Sequence, residues 1–113
     1  MSTRRPHPAH AAAALLLAAA LALGGCAGER KPVRHNVVIH NFVFEPAKVT
    51  VHPGDELLFL NRDAVPHTAT AADHSWDTGN ITANGSAVVR VNAAGAYRCE
   101  YHPTMTGSVA VAK

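Results

Sequence analysis

Apolar residues are arranged in two different ways along this chain. From Ala11 to Leu23 they form an almost unbroken Ala/Leu run. From Val33 onward they come in short β-branched and aromatic runs: Val37-Val38-Ile39, Phe42-Val43-Phe44, Val49-Thr50-Val51, Leu57-Leu58-Phe59-Leu60, Val88-Val89-Arg90-Val91 and Ser108-Val109-Ala110-Val111. Such side chains pack well on a pleated, half-buried surface, so each run predicts a strand. Pro53-Gly54-Asp55, Asn61-Arg62-Asp63, Thr78-Gly79-Asn80, Asn84-Gly85 and Ala94-Gly95 supply turn chemistry between them. No helical hydrophobic period continues past Leu23. Six or more short strands at this spacing predict an all-β fold, an antiparallel sandwich or small barrel whose two sheets bury one apolar face. Loops at the ends of such a framework are where a metal or a reactive group is carried.

The first apolar run has another meaning. Arg4 and Arg5 precede it, the charged-then-apolar layout of an export signal, and the run is short for a membrane span. It ends in Leu23-Gly24-Gly25-Cys26, which resembles a bacterial lipobox, with small residues before the scissile bond and a cysteine to receive lipid. Residues 1–25 are therefore expected to leave as a lipoprotein signal peptide. Residues 26–32, small or charged with breakers at Gly28 and Pro32, read as a lipid-anchored tether, and residues 33–113 as the domain. The expected location is the bacterial cell membrane, with the domain facing periplasm or cell exterior. An ordinary cleaved signal that leaves Cys26 near the new terminus is the alternative. Arg4-Arg5 also permits a twin-arginine signal, but Pro6-His7-Pro8 follow where apolar residues would be expected, so the general export route is preferred.

Removing the signal changes the charge balance. The chain has 10 Lys and Arg against 8 Asp and Glu; Arg4 and Arg5 leave with the signal, and the remaining 8 balance the acids. A near-neutral domain without a basic face gives no support for nucleic-acid binding. Only Cys26 and Cys99 are present, and in an oxidising compartment the simple expectation for two cysteines is a disulfide. Lipid on Cys26 would prevent it.

The surroundings of Cys99 point elsewhere. Tyr97-Arg98-Cys99-Glu100-Tyr101-His102-Pro103-Thr104-Met105-Thr106-Gly107 places a thiolate, an imidazole and a thioether three residues apart at each step. A cysteine leaving a strand, a histidine returned beside it by a tight turn and a methionine closing the same loop make three sides of a small metal site. A second histidine lies in Asp63-Ala64-Val65-Pro66-His67-Thr68, just after the apolar strand Leu57 to Leu60. Two imidazoles, one thiolate and a weak axial thioether suit copper in the trigonal blue-copper arrangement. His35, His40, His52 and His74 have no paired soft donor and read as ordinary histidines, although the turn holding His74 could approach the site. Alternation from Cys99 turns Arg98 and Glu100 to the other face, where a solvated rim is expected.

The segment from Asn41 to Asp55, followed by Asn61-Arg62-Asp63-Ala64-Val65-Pro66-His67-Thr68, resembles the plastocyanin and amicyanin branch of the cupredoxins. Cys99-x-x-His102-Pro103-x-Met105 has the short, amicyanin-like spacing, and the resemblance runs from about Val37 to Ala112. It implies a Greek-key β-sandwich binding one type 1 copper through His67, Cys99, His102 and Met105. It also implies an electron-transfer role, with redox proteins of the cell envelope as partners and a monomeric carrier. Thr68 stands where many relatives have Asn, and either side chain could tie the two ligand loops together. Catalysis is disfavoured because four protein donors leave no open coordination position and no second histidine cluster exists. Copper delivery to another envelope protein remains the alternative, since soft ligands also suit transport.

The lipobox reading has a direct test. Cys26→Ala should move the protein from the membrane fraction to the soluble fraction, and unchanged membrane recovery would refute lipidation at Cys26.

Overall fold

The computed structural model describes residues 2–4 and 30–113. The apolar run and Cys26 lie outside the described residues. Residues Pro32–Lys113 form a compact unit. Eight strands succeed one another: β1 (Arg34–His40), β2 (Val43–Glu45), β3 (Lys48–Val51), β4 (Asp55–Asn61), β5 (Thr70–Ala71), β6 (Ser86–Val91), β7 (Gly95–Arg98) and β8 (Thr106–Val111). They form two four-stranded sheets, β2-β1-β4-β6 and β3-β8-β7-β5. Among the described residues no helix is long and apolar enough to cross a membrane.

The expected all-β sandwich is present, but its sheets are not purely antiparallel. β1 runs parallel to β4 and β3 runs parallel to β8, while the other strand pairs are antiparallel. Strands joined by a hairpin must be antiparallel, whereas parallel neighbours need a longer crossover. Here the chain crosses between sheets before returning, which produces the two parallel pairs. One consequence positions the site. β1 and β4 end side by side, so the β1–β2 turn and the loop after β4 lie at the same end of the sandwich.

Alternation along the strands sets the core. β4 reads buried at Asp55, Leu57, Phe59 and Asn61 and half-buried between them; β1 buries Val37 and Ile39. Phe44, Phe59, Trp76 and Tyr97 pack as an aromatic cluster with ring centroids 4.8–6.1 Å apart. Mostly tilted or edge-on, they satisfy the aromatic quadrupoles while filling the gap between sheets.

Three departures from the sequence pattern have local causes. Phe42 belongs to the β1–β2 turn and not to a strand, because the pairing His40↔Val43 leaves only Asn41 and Phe42 to connect the two strands. β5 has only two residues, too few to show a period. β7 contains Gly95, which reads as punctuation, yet its Tyr97 pairs with Gly107 of β8.

That pairing also explains Gly107. A Cβ at this position would enter the Tyr97 ring. Tyr97 is 1% exposed and its hydroxyl has no hydrogen-bond partner among the described residues, and burial pushes its phenol well up. Gly107→Ala should therefore lower stability by about 1–3 kcal/mol through overpacking. Chemical denaturation checks this, and an unchanged midpoint would show that the ring can move aside freely.

Candidate metal centre

Two loops at one end of the sandwich carry the donor groups. β7 hands the chain to Cys99, and the return to β8 is short, so Cys99 to Met105 forms a tight loop closed by its own backbone. Cys99 N–H donates to the Met105 carbonyl at 3.0 Å, and Met105 N–H to the His102 carbonyl at 2.8 Å. His67 lies on the loop after β4 and is held by reciprocal backbone hydrogen bonds with Ile81 at 3.1 and 2.7 Å.

Three of the residues named from sequence, His67, Cys99 and His102, converge here. Cys99 and His67 are both 0% exposed, and His102 is half-buried. The Nδ1 atoms of His67 and His102 each lie 3.7 Å from Cys99 Sγ. All three donor atoms fall within 4.8 Å of one another. Metal–sulfur and metal–nitrogen bonds of roughly 2.3 and 2.0 Å at a trigonal angle would separate S from N by about 3.7 Å. The observed spacing matches that requirement. Met105, on the same loop, is buried at 4% exposure. A thiolate, two imidazoles and a buried thioether together suit copper better than a hard cation, and the site fits one type 1 copper.

Asp63 orients the first imidazole. Its carboxylate lies 2.8 Å from His67 Nε2. An ionised carboxylate only accepts, so Nε2 carries the proton and Nδ1 keeps its lone pair for the metal. The same carboxylate accepts the Asn41 N–H at 2.7 Å and the Phe42 N–H at 3.0 Å. Burial pushes the carboxyl up. The Phe42 N–H, His67 and the Asn41 N–H together outweigh that effect and hold it below the ordinary 3.8. Asn61 braces the loop from inside: its Oδ1 accepts the Asp63 N–H, and its amide donates to the carbonyls of Val65, Ile81 and Thr82.

Thr68 does what its position suggested. Its Oγ1 accepts the Glu100 N–H at 2.9 Å, and its own N–H points at Cys99 Sγ at 3.3 Å. Thr70 donates its hydroxyl proton to Asp77 at 3.0 Å, which leaves Thr68 as donor in the 3.1 Å contact between the two hydroxyls. A directed chain of hydroxyls therefore joins the cysteine loop to the loop before Thr78. Hydrogen bonds aligned in this way polarise one another.

The other histidines lie elsewhere or serve structure. His35 Nε2 is 3.0 Å from the buried carboxylate of Asp55, at the start of β4. β5 runs antiparallel to β7, so the chain after Thr70 steps away from Cys99 and carries exposed His74 with it. Arg98 and Glu100 are exposed and 4.0 Å apart, a rim pair as alternation predicted. Two residues of the centre had been read differently from sequence. Asp63 looked like turn punctuation, and its spacing of four residues before His67 was the available signal. Phe42 looked like strand, yet its ring meets both ligand imidazoles edge-on, with centroids 5.1 Å from His67 and 4.8 Å from His102.

Comparisons with known proteins agree with this architecture. Among solved structures, an oxidised mutant of amicyanin is similar at 22% identity and a TM-score of 0.61, covering 69% of this chain and 81% of that one. A purple cupredoxin from Nitrosopumilus maritimus is similar at 19% identity and a TM-score of 0.61, covering 69% of this chain and 99% of that one. A copper-containing nitrite reductase from Thermus scotoductus SA-01 is similar at 20% identity and a TM-score of 0.62, covering 78% of this chain but 24% of that one. These likenesses are of fold. No curated protein matches the chain. The family model of the cupredoxin-like domain matches residues 11–111, and this chain belongs to that family.

Proposed function

We propose that this chain is an electron carrier that cycles a single type 1 copper between Cu(I) and Cu(II) in the bacterial cell envelope. The observation that carries this reading is the convergence of His67 Nδ1 and His102 Nδ1 on the buried Cys99 sulfur at 3.7 Å each. In this reading Cys99 as thiolate, His67, His102 and Met105 would hold the copper. When bound, copper would supply the one-electron chemistry, and this donor set suits both of its oxidation states.

The protein's own residues keep that geometry. Asp63 sets the His67 tautomer, the Thr68 N–H is aimed at the sulfur, and Thr68 Oγ1 ties Glu100 to the His67 loop. A donor set already held at trigonal spacing needs little rearrangement when an electron arrives or leaves. Four protein donors leave no open position for a substrate, which supports a carrier over a catalyst. His102 is the exit to partners, since it is the half-exposed ligand, with exposed Phe42 packed against its ring and exposed Pro103 next to it in sequence. A small apolar patch of this kind suits brief contacts with redox proteins. Lipid on Cys26 would keep the monomeric domain at the membrane where such partners work.

Adding one equivalent of Cu(II) to the purified protein should give an intense blue colour and a narrow copper hyperfine pattern in electron paramagnetic resonance, both bleached reversibly by ascorbate. Cys99→Ser should abolish the strong colour; a mutant that stays intensely blue would overturn the ligand assignment. Met105→Leu should keep the copper and raise the reduction potential, because the higher oxidation state loses more when one electron donor is removed. A potential equal to that of the parent protein would remove Met105 from the site.

A further inference from the structure

Phe42 occupies a backbone position that aromatic residues avoid. The two-residue β1–β2 turn has Asn41 at φ 54° and Phe42 at φ 61°. Positive φ at both central residues is the type I′ hairpin, for which Asn-Gly is the favoured pair. Asn41 meets the first requirement. A bulky residue in the second place is an outlier, whereas glycine would adopt the same conformation without a steric penalty. Core packing does not explain the choice, because Phe42 is 47% exposed.

What the ring does touch is the metal centre. It lies edge-on to both ligand imidazoles, at 89° to His67 and 90° to His102, and these two rings are themselves 5.1 Å apart and tilted by 62°. The turn beneath the ring is tied to the same ligand, because Asp63 Oδ2 takes both the Phe42 N–H and His67 Nε2. Ring, turn, carboxylate and imidazole thus form one connected unit.

We propose that Phe42 is a positioning residue of the metal centre, whose ring holds the His67 and His102 imidazoles at their mutual tilt and shields their edges from water. The strained turn is kept because glycine, easier for the hairpin, would leave both ligands unsupported on that side. Strain concentrated beside a ligand set is where a fold gives up stability for function. The proposal rests on the copper reading above and adds a residue that does not itself bind the metal.

The test compares the full chain with its Phe42→Gly and Phe42→Tyr variants, each loaded with one equivalent of Cu(II). Three quantities are read: the electron paramagnetic resonance pattern, the rate of copper loss to an excess of chelator, and thermal unfolding of the copper-free chain. Phe42→Gly should lose copper about tenfold faster, the scale of effect seen when support around metal ligands is removed. Its hyperfine pattern should change while its copper-free melting temperature does not fall below that of the parent. Phe42→Tyr, which keeps the ring, should retain copper like the parent. Unchanged copper loss in the glycine variant overturns the proposal. So does a tyrosine variant that loses copper as fast as the glycine one, or copper-free stability that falls in step with copper retention. A parent chain with no type 1 signal would instead sink the copper reading itself.

Discussion

Asp63 satisfies three donors from two separate segments with one carboxylate: the Asn41 and Phe42 N–H groups of the β1–β2 turn, and the imidazole of His67 on its own loop. The His67 N–H, on a fully buried ring, would be costly to leave unpaired, since a buried donor without a partner costs about 1–3 kcal/mol. At 8% exposure the carboxylate has little water to turn to, so its three donors account for its charge. The metal end depends on this node. It sets the tautomer of one ligand, and through the turn it places an aromatic ring against two.

The opposite end of the sandwich repeats the device. Asp55, 1% exposed at the start of β4, accepts the N–H groups of Val33 and His52 and meets His35 Nε2. β4 therefore begins beside one buried carboxylate and leads into another. Because β1 lies parallel to it over six paired residues, both strands are gripped at both ends. Parallel pairing is what allows a single carboxylate at each end to reach both strands, and it explains why the donor loops start from a rigid base.

Rigidity suits a carrier. Two ligands are fully buried, the cysteine loop is closed by its own hydrogen bonds, and Thr68 joins that loop to the His67 loop. Only His102 reaches the surface among the three converging donors. In the carrier reading, these supports would have to open together before the metal could leave.

The order of residues alone determined the class of fold and singled out the candidate metal donors. Short runs of β-branched and aromatic residues bounded by turn residues suit strands, and Cys99, His102 and Met105 are close enough in the chain for one tight loop to gather them. The lipobox-like pattern that ends at Cys26 is likewise local, and it lies outside the described residues. Tertiary structure decided what depends on distant segments meeting. The parallel pairing of β1 with β4 leaves no short-range mark, and β5 is too short to show a period. Asp63 reads as turn punctuation and Phe42 as strand until the hairpin closes over His67. Their roles arise from hydrogen bonds and ring contacts between residues 4 to 60 positions apart, and no local preference encodes such contacts.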